Sequence, residues 1–125
     1  MRGILMIGAA ALLAGCVSSP TSLEGSAGAP SFVSLQQMCT AQAVDYGHDA
    51  QNVYVTFFDA YVANRHGRLS KQDFCAFQAS IAQRYTSEAV GSDPQTRNQW
   101  VTFLNEQRAK ALSWRAAVDP TLRNG

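Results

Sequence analysis

The sequence predicts an all-α protein, a small antiparallel bundle of three to four helices behind a leader and a polar spacer. Two observations carry this. From residue 34 onward the apolar side chains recur at spacings of three and four, the period of a helix with one buried face. Capping residues, glycines and prolines then cut that pattern into helix-length pieces joined by short connections, which favour antiparallel neighbours.

The first helix is expected over 34–46, with Leu35, Cys39 and Gln42 on one stripe, Met38 beside them and Gly47 as its C-terminal cap. Asp49 is a suitable N-cap for a second helix over 50–65. Its broad apolar face comprises Val53, Tyr54, Phe57, Phe58, Tyr61 and Val62. Several of these residues suit a strand, but the length and spacing favour a helix. Gly67 breaks the chain, and Ser70 with Asp73 resembles a capping box for a third helix over 71–89. Phe74, Phe77, Ile81 and Tyr85 form its stripe, with Cys75 and Ala82 at the edge. Gly91-Ser92 ends it, and Asp93-Pro94 restarts the chain with a capping carboxylate and a proline at the first helical position. The fourth helix, 94–118, carries a seam of Trp100, Leu104, Gln107, Ala111, Trp114 and Val118. A three-helix bundle with a loose first helix is the competing arrangement.

Residues 1–15 have the layout of a secretory signal: Arg2, an apolar run from Ile4 to Leu13, then small residues. The run is too short for a bilayer span, which takes about 20 apolar residues. Leu13-Ala14-Gly15-Cys16 resembles the lipobox of bacterial lipoproteins. That resemblance implies cleavage before Cys16, a diacylglycerol (palmitate-type chains) on its sulfur and acylation of the new amine. An ordinary signal peptide cut elsewhere, or a buried helix, is the alternative, and it leaves a cysteine at that place without a purpose. Several acyl chains anchor stably where one gives only marginal binding. Val17 stands where an aspartate favours inner-membrane retention in such lipoproteins, so the outer membrane facing the periplasm is expected.

With Cys16 acylated, Cys39 and Cys75 remain for one disulfide in an oxidising compartment. Two buried thiols or a metal pair are the alternatives, and the absence of matching histidines makes a poor zinc site. The pair lacks the C-x-x-C spacing of redox centres, so the bridge is expected to be structural. Residues 17–31, VSSPTSLEGSAGAPS, are too polar and small to fold and read as a spacer of roughly 20 Å between the lipidated Cys16 and a helical domain over 32–125.

The chain has ten basic and nine acidic residues. Loss of Arg2 with the leader leaves the mature charge at zero, which argues against nucleic-acid binding and against electrostatic adhesion to anionic lipid. Membrane attachment is therefore expected through the acyl chains. Residues 62–73 resemble part of an EF-hand loop, with Gly67 at the central turn and Asp73 at the close. Val62 at the first ligand position offers no oxygen, and a closing aspartate is shorter than the usual glutamate. A capped helix–turn–helix explains the segment better. His48 and His66 fall in turns with no nucleophile motif nearby, and the carboxylates are scattered or placed as caps. H-E-x-x-H, G-x-S-x-G and phosphate-loop patterns do not occur. No catalytic residue, metal ligand, cofactor or small-molecule substrate is expected, and the chain does not read as an enzyme.

The aromatic residues are the remaining signal. Trp100 and Trp114 lie four helical turns apart, roughly 21 Å on one face. Either they fill the core with the phenylalanines, or Trp100, Trp114 and Tyr61 line a groove where a partner docks. A lipid anchor, a spacer and a compact helical domain together suggest a non-enzymatic binding or assembly module with an envelope protein as partner. The architecture is similar to that of the pilotins of secretion systems, in lipobox, size, helices and bridge, with no residue-level motif. An immunity or surface-exclusion lipoprotein is the alternative, and a cell-envelope enzyme a lesser one. An adaptor should show an exposed apolar groove, an immunity protein a polar protruding face, and an enzyme a cleft of convergent titratable groups.

Overall fold

The computed structural model describes residues 29–119, residue 41 apart. The leader, Cys16 and most of the spacer lie outside the described residues. The architecture is all-α: α1 (Phe32–Gln37), a single 3-10 turn (Gly47–Asp49), α2 (Ala50–Arg65), α3 (Lys71–Arg84) running on into a π-helical turn (Tyr85–Ala89), and α4 (Pro94–Val118). No helix among the described residues is long and apolar enough to cross a membrane.

The expected start signals act locally in α3 and α4. The Ser70 hydroxyl accepts from the Asp73 amide, and the Asp93 carboxylate accepts from the amide of Gln95 and the hydroxyl of Thr96. Pro94 then sits where its missing N–H costs nothing.

The first helix differs from expectation. It spans 32–37 rather than 34–46, because its missing length is replaced by side-chain bonds. Gln36 offers both ends of its amide to one residue: its Oε1 accepts from the Val44 amide at 2.8 Å and its Nε2 donates to the Val44 carbonyl at 3.4 Å. That pairing holds 43–46 in an irregular path and brings Tyr46 into the core. Gly47 is not the cap of a long helix. It opens the 3-10 turn at φ +55°, a conformation that suits glycine, and a β-carbon there would stand 3.3 Å from the Tyr85 hydroxyl. Gln42, expected on the buried stripe, is exposed.

Short as it is, α1 is fixed at several points. Cys39 and Cys75 form the disulfide, tying the segment after α1 to α3. Buried Gln78 donates from Nε2 to the Leu35 carbonyl at 2.9 Å, and Tyr54 donates to the Pro30 carbonyl at 2.7 Å. Phe32 packs on Tyr46, Tyr54 and Phe57 with ring centroids 5.4–5.8 Å apart.

The three long helices form an up–down–up bundle. Asp49, before α2, bonds Arg97 and Trp100 near the start of α4, while Asp59 pairs with Arg115 near its end. Those contacts make α2 and α4 parallel. Between them α3 runs the other way, setting Tyr85 against Trp100 and Phe77 against Trp114. Ala60 and Ala63 of α2 and Ala111 of α4 are fully buried, small residues that let the helices approach closely. Val53, Phe57, Phe74, Ile81, Trp100 and Leu104 fill the space between them.

Candidate functional site

The structure separates the three aromatics expected to line one groove. Trp100 is fully buried, and its indole N–H donates to the Asp49 carboxylate at 3.1 Å. It is a core residue and not a docking residue, because its ring is covered by Tyr85 and Phe103 and its one polar atom is satisfied inside. Tyr61 is half-buried on α2, beside Phe58, and its hydroxyl accepts from Arg65. Trp114 lines a cleft.

That cleft lies between α3 and α4 and encloses about 430 Å³, bordered by Arg68, Asp73, Phe77, Gln107, Lys110 and Trp114 among others. Trp114 reaches it because α4 places residues 107, 110 and 114 along one side, facing α3. Its indole packs edge-on against Phe77 at 5.1 Å, which fixes the ring from within. The Lys110 ammonium stands over its outer side, 5.4 Å from the ring centroid. Arg68 enters from the turn after α2, where Gly67 takes φ +81° and the Asn64 side chain holds the Leu69 carbonyl at 2.9 Å. Neither Arg68 nor Lys110 takes part in a salt bridge among the described residues, in contrast to Arg84, Arg97 and Arg115. The result is an aromatic wall with two cations and a single carboxylate, Asp73, around it.

The resemblance of 62–73 to an EF-hand loop finds a different explanation in this geometry. Asn64, which would take the third ligand position, spends its side-chain amide on the turn, and the backbone N–H of Asp73 donates to the Ser70 hydroxyl as the cap of α3. Among the described residues no three of His, Cys, Asp or Glu gather where they could hold a metal ion. His48 and His66 are exposed in turns.

The opposite flank of α4 carries a second surface, a groove of about 310 Å³ against α2 that includes Val55, Asn105, Arg108 and Leu112. Two further hollows exist. A cleft of about 440 Å³ is lined mainly by amides and by Phe103, whose ring is covered by the Arg84 guanidinium at 4.2 Å. A smaller one of about 240 Å³ lies against the disulfide and Tyr46. Burial raises the phenol pKa of Tyr46, with the nearby Tyr85 adding to it. Burial likewise raises that of Tyr85, helped by Asp49 and Asp45 and opposed by Arg97. Both phenols therefore stay protonated at neutral pH, and neither borders the Trp114 cleft.

Arg68, Lys110, Val55, Val101 and Leu112 were not legible as surface features from spacing alone. Val101 and Leu112 each fall one residue past the α4 seam, at Trp100 and Ala111, and apolar residues off a seam were the available signal. No family model matches this chain, and no curated protein or solved structure matches it either.

Proposed function

We propose that this chain is an outer-membrane-anchored periplasmic lipoprotein whose helical domain is a non-enzymatic protein-binding module. In this reading it serves as an accessory, pilotin-like component of an envelope secretion or assembly system. Cys16 carries the acyl chains, the spacer gives the domain reach, and the Trp114 cleft receives a segment of an envelope protein. The observation that carries the reading is the half-buried Trp114 in an open cleft with Arg68 and Lys110 beside it.

A tryptophan braced from behind loses little conformational freedom on binding, which is why such residues anchor interfaces. The two cations favour a segment that sets an apolar side chain against the indole and offers a carboxylate to Arg68 or Lys110. The remaining surface of the cleft, Gln107, Ser80 and Asp73, supplies donors and acceptors for a peptide backbone.

Photo-crosslinking in cells tests this. A photoreactive amino acid replaces Gln107 in the full chain, and a control replaces exposed Thr102 on α4. The reading expects a discrete adduct with one envelope protein from position 107, lost on Trp114→Ala and absent from position 102. Adducts that form equally from both positions, or that ignore Trp114→Ala, would refute it.

A further inference from the structure

The flank of α4 away from the Trp114 cleft holds apolar side chains that the described residues leave partly exposed. Val101 is 42% exposed and Leu112 48%, and Val55 of α2, in the same groove as Leu112, is 38% exposed. Val101, Asn105, Arg108 and Leu112 follow one another at spacings of four, three and four, so they form one stripe along the helix.

That stripe is complementary to a reversed copy of itself, in spacing and in the groups it pairs. Turning the helix end for end about a point between residues 106 and 107 maps Val101 onto Leu112 and Asn105 onto Arg108. We infer that a second copy of this chain covers the flank, in a two-fold dimer whose α4 helices run antiparallel. Each valine then meets the partner's leucine, and each Arg108 guanidinium meets an Asn105 carboxamide able to accept from it. A parallel pairing would instead set Arg108 directly on Arg108, a like-charge contact that costs stability. Long-range repulsion does not oppose the match, since the chain carries ten basic and nine acidic residues.

A contact made by one helix flank is smaller than the roughly 800 Å² per partner of a standard stable interface, so the dimer is concentration-dependent. Confinement of both copies to one membrane would raise the effective concentration and favour it. The inference does not rest on that anchor or on the Trp114 cleft.

Sedimentation of the purified full chain over a range of concentrations tests it, alone and as Leu112→Asp. Leu112 is exposed, so unchanged helicity by circular dichroism shows that the variant still folds. The expected result is a reversible dimer whose dissociation constant rises at least about tenfold with Leu112→Asp, because the change sets an unpaired carboxylate against the partner copy's apolar valine at both ends of the two-fold contact. Cysteine cross-linking tests the direction. Residues 101 and 112 lie about 16 Å apart along the helix. Val101→Cys combined with Leu112→Cys in one chain should yield a covalent dimer with a short thiol cross-linker, and each single variant should yield none beyond the native chain. A monomer at every concentration, a dimer indifferent to Leu112→Asp, or single variants that cross-link as well as the pair would overturn the inference.

Discussion

The carboxylate of Asp49 accepts a hydrogen bond from the indole N–H of Trp100, fifty-one residues further along the chain, at 3.1 Å. The same oxygen takes the Arg97 guanidinium at 3.0 Å. A fully buried tryptophan needs a partner for its only donor. Asp49 supplies it, and in doing so ties the start of α2 to the start of α4. The sequence position that looks like a helix cap is therefore a tertiary clamp, and the Asp49 side chain makes no cap bond of its own.

Replacing Asp49 should show this. Asp49→Ala leaves the Trp100 N–H buried without an acceptor, which costs about 1–3 kcal/mol. Asp49→Asn keeps an oxygen for the indole and should cost less. Urea denaturation of the variants checks the order, and equal losses for the two would mean that the charge pair with Arg97 matters more than the indole bond.

The two tryptophans should separate cleanly. Trp100→Ala opens the centre of the core and should cost about 3–5 kcal/mol, a large share of the stability of a small domain. Trp114→Ala removes a half-buried ring at a cleft, so it should cost less stability while abolishing partner capture. Thermal unfolding and the position-107 adduct, read on the same two variants, provide the comparison.

Tyr46 and Tyr85, with Tyr54, contribute stability that alkaline pH should remove. Their phenol pKa values are raised in the folded state, chiefly by burial. The stabilisation is complete below the unfolded tyrosine pKa of about 10 and is lost as pH climbs above it toward the folded values. Unfolding stability should hold level through neutral pH and fall above about pH 10. A Tyr46→Phe, Tyr85→Phe chain should fall less steeply there, and an unchanged slope would count against the burial argument.

The disulfide should stabilise the fold by restricting the unfolded chain. It closes a loop with a sequence separation of 36, which chain-entropy reasoning values at about 3–4 kcal/mol. A Cys39→Ser, Cys75→Ser chain should unfold at correspondingly lower urea concentration. Most helicity should survive in native buffer, because α2, α3 and α4 build their own core. A collapse of all helical signal would show that α1 and its bridge organise the bundle as a whole.

The long elements were legible because local and global signals agree in them. In α4 the Asp93-Pro94 start, the seam of Trp100, Leu104 and Ala111 and the stop after Val118 all point the same way, and the helix spans Pro94–Val118 as expected. The first helix was misread because its determinants are non-local. Nothing near Gln36 in sequence reveals that its amide will pair with Val44, or that Gln78 will donate to the Leu35 carbonyl. The same holds for the candidate site. Trp114 was visible as an aromatic on a seam, but the turn that delivers Arg68 to it depends on how α2 and α3 are joined. Trp100 could not be told from Trp114 by spacing, since both sit on the seam, and only the partners Asp49, Tyr85 and Phe103 bury it.

The adaptor reading depends most directly on the amino terminus, and intact-mass spectrometry of the protein purified from its own envelope reads it. The expected product is a chain beginning at Cys16 with a diacylglycerol on sulfur and an acylated amine, converted by Cys16→Ser into a form that no longer partitions with membranes. A product that keeps Met1, or one cut elsewhere with Cys16 unmodified, would contradict it.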